Sequence, residues 1–435
     1  MSTIVETIEN SLKTHLKKNK EISIGVSGGL DSVVLLDVLT KIQKRHSLKL
    51  KVIHVNHQIS KNANRWEKFV RELCQKAKIP FFCERVNLDP TSKLGLEGEA
   101  RRERYRVFDA YKQKSILTLA QHQDDQVETL FLQLARGAGI KGLAGMPEFD
   151  TRRKIWRPLL SLSRNELERY AKENQLKHIN DESNLNTKFD RNYIRHKLVP
   201  LFKKRFPNFL QTTTRSINHI ASHYENQVLI NEQKYKKYFK EGFKVLDLGD
   251  LEISQDFEYA ELYRYWFAEN NLSMPSTKVM VQLVKQTRLL KNDQQIKVNI
   301  GVCDVMSFKQ KLYLVSRSEV KDYVFEIEDK TFINPFDGSL HTLKLTKGKG
   351  VDKKSLMGQK VKIKPIKNLN QKIKSDPKRP ARSLKCLFQE HNIPPWVRNA
   401  YPGFFVNDSL IALGSLAIDY NYQCKSNQLG YFMQI

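Results

Sequence analysis

The stretch Ile22-Ser-Ile-Gly-Val-Ser-Gly-Gly-Leu-Asp-Ser32 decides how the rest of the chain is read. It opens as a short apolar, β-leaning run, breaks at Ser27-Gly28-Gly29, and continues as the apolar helical stretch Val33-Val-Leu-Leu-Asp-Val-Leu39. That order predicts a strand, a tight glycine turn and a helix. The first N–H groups of a helix lack intrahelical partners and sit at the positive end of its dipole. Glycines at the turn let the backbone close on an anion with no Cβ in the way, so a phosphate or pyrophosphate is the expected occupant. A bare Gly-Gly could join any strand to any helix. Here Ser27 and Ser32 add hydroxyls for phosphate oxygens, and Asp31 adds a carboxylate for Mg2+. The turn has neither the Gly-x-x-x-x-Gly-Lys-Ser/Thr nor the Gly-x-Gly-x-x-Gly pattern, which excludes a Walker A loop and a dinucleotide fingerprint.

Strands and helices alternate outward from this turn. An amphipathic helix with a Lys-rich end is expected from the N-terminus to Lys20. Strands are expected at Lys51–Asn56, Pro80–Val86, Ser115–Ala120 and Ile155–Leu160. Helices are expected at Trp66–Lys78, Leu96–Lys112, Asp125–Arg136 and, capped by Ser163, up to Asn174. Such alternation implies an α/β fold with a parallel sheet covered on both faces and ligands at the carboxyl ends of its strands. From Pro200 to about Gln233 the pattern is helical and basic. The region from Tyr235 to Arg317 carries helical stretches (Tyr259–Asn270, Ser276–Leu290) and then β-like runs (Val298–Val302, Leu312–Val315). Short strands follow in a Lys-rich context, at Thr342–Thr346 and Lys360–Lys364. The expected organisation is a parallel-sheet nucleotide-binding domain at 1–217, a mostly helical middle domain at 218–330, and a small α+β domain at 331–435.

Among 435 residues, Lys and Arg number 74 against 47 Asp and Glu, a net charge of +27. That excess suits a polyanionic partner, with nucleic acid the first candidate. It is densest from Lys362 to Lys385, through Lys364, Lys367, Lys372, Lys374, Lys378, Arg379 and Arg382. No apolar run is long enough to span a bilayer, and no signal peptide is evident. The five cysteines are scattered and lack a Cys-x-x-Cys pair, which argues for reduced thiols in the cytoplasm and against a zinc or iron–sulfur site.

The segment Ala120-Gln-His-Gln-Asp-Asp-Gln-Val-Glu-Thr129 follows the fourth strand. One Asp would satisfy a helix cap. His122, Asp124, Asp125 and Glu128 together exceed that need and suit Mg2+ binding or general-base work beside a phosphate. Arg101 and Arg104, spaced i,i+3 on the charged helix beside Tyr105, and Arg191 and Arg195, spaced i,i+4, suit phosphates or an anionic intermediate. On spacing alone either pair is equally an exposed helix face. His54 and His57, at the end of the second strand, have no assigned role.

Ser27-Gly-Gly-Leu-Asp-Ser32 resembles the pyrophosphate loop of the N-type ATP pyrophosphatases, which split ATP into AMP and pyrophosphate. The ordered set of that loop, His54-Val-Asn-His57, Glu97-x-x-Ala-Arg-x-x-Arg-Tyr105, His122-x-Asp-Asp-Gln-Val-Glu-Thr129, Arg157-Pro-Leu-Leu160, Asp181-x-Ser-Asn184 and Arg191-Asn-x-Ile-Arg-His-x-x-x-Pro200 resembles the tRNA(Ile)-lysidine synthetase family. Leu384-Lys-x-Leu-Phe-Gln-Glu390 and Ile393-Pro-Pro-Trp-Val-Arg398 are similar to that family's C-terminal domain. Family members often carry Gly-Gly where this chain has Arg379-Pro-Ala-Arg382. The middle region matches nothing residue by residue.

The resemblance implies an ATP- and Mg2+-dependent ligase acting on an isoleucine tRNA with a CAU anticodon. O2 of the wobble cytidine attacks the α-phosphate and pyrophosphate leaves. The ε-amine of free L-lysine then attacks C2 and expels AMP, which changes codon reading from AUG to AUA. The residues implied for ATP are Ser27, Gly28, Gly29, Leu30, Asp31 and Ser32; Asp31 with Asp125 or Asp124 would hold Mg2+. Arg101, Arg104, Arg191 and Arg195 would offset charge at phosphorus. Asp125, Glu128 or His122 would hold and deprotonate lysine. Trp396 and Arg398 are candidates for tRNA contact, with Trp396 better read as core. If the chain assembles, a homodimer is the expected form. The rivals are a tRNA 2-thiocytidine synthetase, which uses a Cys-x-x-Cys cluster absent here, and a non-catalytic RNA-binding protein, which has no use for the intact Asp31 and Asp124-Asp125.

Overall fold

A computed structural model describes residues 3–16, 21–89, 91–92, 95–240, 244–249, 251–290, 295–317, 323–326, 331–333 and 340–434. The chain divides into two compact units, Met1–Leu229 and Ile230–Ile435.

In the first unit the order is α1 (Ile4–His15), β1 (Glu21–Gly25), α2 (Leu30–His46), β2 (Lys49–Asn56), α3 (Ala63–Ala77), β3 (Phe81–Arg85), α4 (Gly95–Lys112), β4 (Ile116–Thr118), α5 (Gln123–Ala135), α6 (Ile140–Leu143), β5 (Phe149–Asp150), β6 (Ile155–Trp156) and α7 (Arg164–Glu173). The strands lie in the order β3-β2-β1-β4-β6-β5. All pair in parallel except β5, which runs antiparallel to β6 at the edge. Ile22, Ile24 and Val52 pack on one face against Val34, Leu35, Val38 and Leu39 of α2. On the other face, Ile53 and Leu117 meet Val107 and Phe108 of α4. Strand order reverses between β1 and β4, so the crevice at their carboxyl ends is where such a sheet takes a ligand. The Ser27–Ser32 turn leaves β1 at that point and the His122 segment leaves β4 beside it.

The α/β alternation is as expected, with two differences. α1 ends at His15, and residues 17–20 of the anticipated helix lie outside the described residues. The fifth strand stops at Trp156 instead of reaching Leu160, because Pro158 cannot donate to a ladder and the chain turns, Leu160 N–H reaching the Arg157 carbonyl at 3.2 Å. Its antiparallel neighbour, only two residues long, is too short to carry a periodic signal.

In the second unit, the expected helices form at Asp256–Glu269 and Thr277–Arg288. They accompany a five-stranded antiparallel sheet of Phe239–Lys240, Val245–Asp247, Lys311–Ser316, Cys303–Phe308 and Lys297–Asn299. The expected run Val298–Val302 is half strand and half turn: Ile300 N–H closes onto the Cys303 carbonyl at 3.1 Å. Tyr263, Trp266, Phe267, Leu283, Val305 and Leu312 form this core. Further on, Val361–Pro365 pairs with Pro402–Val406, and Leu340–Lys347 pairs with Leu429–Gln434. Short helices Leu384–Glu390 and Pro395–Arg398 complete an α+β region.

Candidate active site

The loop after β1 is held by its own hydroxyls. Gly28 N–H donates to Ser32 Oγ at 3.2 Å and Gly29 N–H to Ser27 Oγ at 3.3 Å, while Ser32 Oγ donates to the Gly29 carbonyl at 2.9 Å. Gly28 has φ +92°, and a Cβ there would come within 2.4 Å of Ile179 Cδ1, so only glycine suits the position. Ile179 N–H donates to the Gly28 carbonyl at 2.9 Å and fixes the turn from outside. Gly29 caps α2 without a side-chain hydrogen bond, which leaves the helix's first N–H groups turned toward the crevice.

Opposed charges pack beside this loop. Arg164, the first residue of α7, places Nη1 at 2.6 Å from both Asp31 oxygens. Its backbone N–H donates to Asp124 Oδ2 at 3.0 Å. Asp125 Oδ2 accepts the His122 backbone N–H at 3.0 Å, and Asp125 Oδ1 accepts from Arg191 Nη2 at 2.9 Å and Arg195 Nη2 at 3.3 Å. Glu128, 2% exposed, takes Arg191 Nε at 2.7 Å and Arg195 Nε at 2.5 Å. His122 is buried among Asp31, Asp124 and Asp125 at 3.6–3.7 Å. Burial works against its charge, but Asp125, Asp124 and Asp31 outweigh it and raise the imidazole to about 9. His122 is therefore an imidazolium at neutral pH. Burial likewise works against the charge of Asp125, and His122 and Arg191 outweigh it, holding the carboxyl below its ordinary value. For Asp124, His122, the Arg164 amide and Lys203 overcome burial in the same direction.

The motif containing Arg191 divides its work. Arg191 and Arg195 turn to the carboxylates. Asn192 Nδ2 donates to the Ser183 and Asn186 carbonyls at 2.9 and 3.0 Å, and His196 Nε2 to the Asn184 carbonyl at 2.8 Å, so the Asp181–Asn186 segment is strapped to it. A π-turn at Ile194–Leu198 interrupts the helix where Arg195 emerges.

On α4, Arg101 lies 5.2 Å from the centre of the Tyr105 ring. Arg104 is exposed, yet its guanidinium is held below the ordinary arginine value, by desolvation first and by Arg101 and Arg191 next. Arg104 thus lies within electrostatic reach of Arg191. His54 is structural: its Nδ1–H donates to the Val26 carbonyl at 2.8 Å. His57 differs, for neither ring nitrogen has a hydrogen-bond partner among the described residues. Desolvation, then Arg104 and His54, push it down to about 4, so it is neutral.

Sequence reasoning passed over Arg164 and quoted Arg157 in a motif without giving it a role. Arg164 directly follows the Ser163 cap, and a cation opening a helix, where the dipole disfavours it, was the available signal. Arg157, 4% exposed, donates to Gln121 Oε1 at 2.7 Å and the Pro147 carbonyl at 2.9 Å and braces the segment before His122.

In the second unit, Lys362, Lys372, Lys378 and Lys385 are exposed, whereas Lys364 pairs with Asp408 at 2.6 Å, Arg379 with Asp376 at 3.5 Å, and Arg382 with Glu390. Arg382 lies in a strand, Arg382–Ser383, where the relatives' Gly-Gly was expected. Trp396 is half-buried, its ring edge-on to Tyr313 at 5.3 Å. Arg398 is buried and its Nε–H donates to the Ile393 carbonyl at 2.9 Å.

A glycine-serine turn at the switch point of a parallel sheet, with acidic residues facing it, defines an ATP-binding PP-loop enzyme, and residues 1–202 match the family described as PP-loop domain. Residues 366–435 match the TilS substrate C-terminal domain. The chain is 31% identical to the tRNA(Ile)-lysidine synthase of Nitrosomonas europaea, over 98% of this chain and 94% of that protein. It is 30% identical to that of Coxiella burnetii, over 99% and 97%. It is 31% identical to that of Vibrio parahaemolyticus, over 99% of both. The chain belongs to the tRNA(Ile)-lysidine synthase family, ligases that form a C–N bond.

Proposed function

We propose that the chain adenylates C2 of the wobble cytidine in an isoleucine tRNA with a CAU anticodon and then joins free L-lysine to that carbon, giving lysidine, AMP and pyrophosphate. The observation that carries this reading is the pairing of Asp31, Asp124, Asp125 and Glu128 with Arg164, Arg191 and Arg195 beside the glycine turn. The reaction asks for no protein nucleophile. It asks for a pyrophosphate cradle, cations for charge developing at phosphorus, and carboxylates for an ammonium. The Ser27–Ser32 loop is the proposed cradle.

Among the described residues no three His, Cys, Asp or Glu form a protein-only metal cage. Mg2+ needs none, since it takes one or two carboxylates and completes its shell with water and substrate phosphate. Asp31 and Asp125 fit that demand, with Asp124 as the alternative second ligand. Mg2+ at Asp31 would compete with the Arg164 guanidinium, and its chemistry there would be charge neutralisation on the departing pyrophosphate. Arg101, Arg104, Arg191 and Arg195 would face the α-phosphate. Lysine's ammonium would seat on Asp125 or Glu128; His122, held as an imidazolium, favours the ionised form of Asp125. The domain division 1–217, 218–330 and 331–435 belongs to the same reading, with tRNA bound by the last. Among the described residues no helix is long and apolar enough to cross a membrane, and all five cysteines are free, which supports work in the cytoplasm.

The test is incubation with ATP, Mg2+, labelled lysine and total tRNA, reading label in tRNA and AMP released. Label in tRNA with matching AMP is expected; AMP release without need of lysine, or unlabelled tRNA, overturns the reading. Asp31→Ala is expected to abolish pyrophosphate release and leave tRNA binding nearly intact.

A further inference from the structure

The segment Val199-Pro-Leu-Phe-Lys-Lys-Arg-Phe206 carries exposure that the proposed reaction does not use. Leu201 is 67% exposed, Phe206 55% and Phe202 36%. Lys203, Lys204 and Arg205 stand between them, all exposed. Of the apolar groups, Phe202 has a firm base. Phe202 stacks on Phe209 with ring centres 4.8 Å and planes 18° apart, and meets Phe131 at 5.5 Å. Phe131 lies one turn beyond Glu128 on α5, the helix that carries Asp124, Asp125 and Glu128. Lys203, from the same short helix as Phe202, bears on the Asp124 carboxyl. The patch therefore adjoins the charged cluster.

We propose that Phe206, with Leu201 and the edge of Phe202, is a stacking platform for the unpaired bases beside the target cytidine, and that Lys204 and Arg205 hold the phosphates between those bases. The proposal rests on the reaction above. An enzyme that works on a base edge draws that base out of its stack, and the neighbouring bases lose contact on the faces thereby exposed. An aromatic surface replaces that contact whatever the base, and adjacent cations take the backbone. A surface made for another protein would lack Lys at its centre, since interface cores are depleted in it.

The experiment uses the full chain with two readouts. The first is lysine incorporation into the full-length tRNA. The second is fluorescence of an anticodon stem-loop carrying 2-aminopurine in place of the adenine next to the target cytidine. Phe206→Ala is expected to raise KM for tRNA about tenfold with kcat held within about twofold, and to lose the quenching seen with the unaltered chain. Phe206→Tyr is expected to restore both. Leu201→Ala is expected to raise KM by roughly threefold. Both side chains are exposed, so neither variant threatens the fold. Unchanged KM with retained quenching in Phe206→Ala overturns the platform. So does conversion of a dimer to a monomer by that variant, which would give the face to a second copy. If the unaltered chain quenches the probe through Phe206 but incorporates no lysine, the platform stands and the proposed reaction falls.

Discussion

The cations of the crevice and those of the stretch 362–385 share one net charge of +27 and act under opposite conditions. Arg191 and Arg195 are each divided between Asp125 and Glu128, in a site where Glu128 is 2% exposed. There the effective dielectric is low and each charge depends on its neighbours. Lys362, Lys372, Lys378 and Lys385 stand in solvent, where an ion pair contributes little and salt screens the rest. Crevice cations are thus expected to be individually indispensable, and surface lysines to act as a sum. A single-site change can break that distinction.

Glu128→Ala makes the largest test. It leaves two guanidiniums facing one another with Asp125 as their shared carboxylate. Activity should fall at least about 100-fold, and stability by about 3 kcal/mol. AMP release and urea unfolding of the full chain measure the two. If Lys362→Ala cost as much in either assay, the distinction would fail.

The next effect is pH-dependent. His122 has its folded value raised to about 9 from an ordinary 6.5. Stability from its charge is therefore fully present below pH 6.5 and is lost as pH rises through 9. Unfolding free energies of the parent and His122→Asn chains should converge by about 3 kcal/mol between pH 6.5 and pH 10. A constant difference across that range would show that the carboxylates around His122 do not raise its pKa above the ordinary value.

Gly28→Ala ranks third. The new Cβ meets Ile179 at 2.4 Å in a left-handed backbone, so a loss of about 2 kcal/mol is expected, with ATP binding lost beyond what unfolding explains. Full ATP affinity in a folded Gly28→Ala chain would take the turn out of the phosphate site.

How legible these features were follows from how local they are. The β1 turn was readable because Ser27, Gly28, Gly29 and Ser32 bond to one another within six residues. His122, Asp124, Asp125 and Glu128 were readable as one helix start. Arg164 was not, because its partner Asp31 lies 133 residues away and the one local signal, a cation at a helix start, names no partner. The pairing of Arg191 and Arg195 with Glu128 was likewise invisible: spacing gave two cations on one face, and only the fold supplied the acid. His57 looked like an ordinary strand-end histidine, and its lack of a hydrogen-bond partner among the described residues is a property of packing. In the second unit the sheet strand Cys303–Phe308 escaped notice because Asp304 and Ser307, both buried, interrupt its apolar run. Arg398 reads as a basic residue beside an aromatic, yet burial assigns it to the Ile393 carbonyl.

The smallest effect per residue, and the sharpest on the other half of the comparison, belongs to the exposed lysines. Replacing Lys362, Lys372, Lys378 and Lys385 together by Ala removes charges that stand in solvent, so each change should move stability by no more than about 0.5 kcal/mol. If each lysine releases a counterion from a tRNA phosphate, the slope of log affinity against log salt should flatten by roughly three. Turnover at saturating tRNA should hold, because none of the four belongs to the crevice. Equal flattening from any single replacement would mean that one lysine sits in a fixed contact, as the crevice arginines do. An unchanged slope from all four would return the stretch to plain solvated surface and leave the tRNA to be held elsewhere.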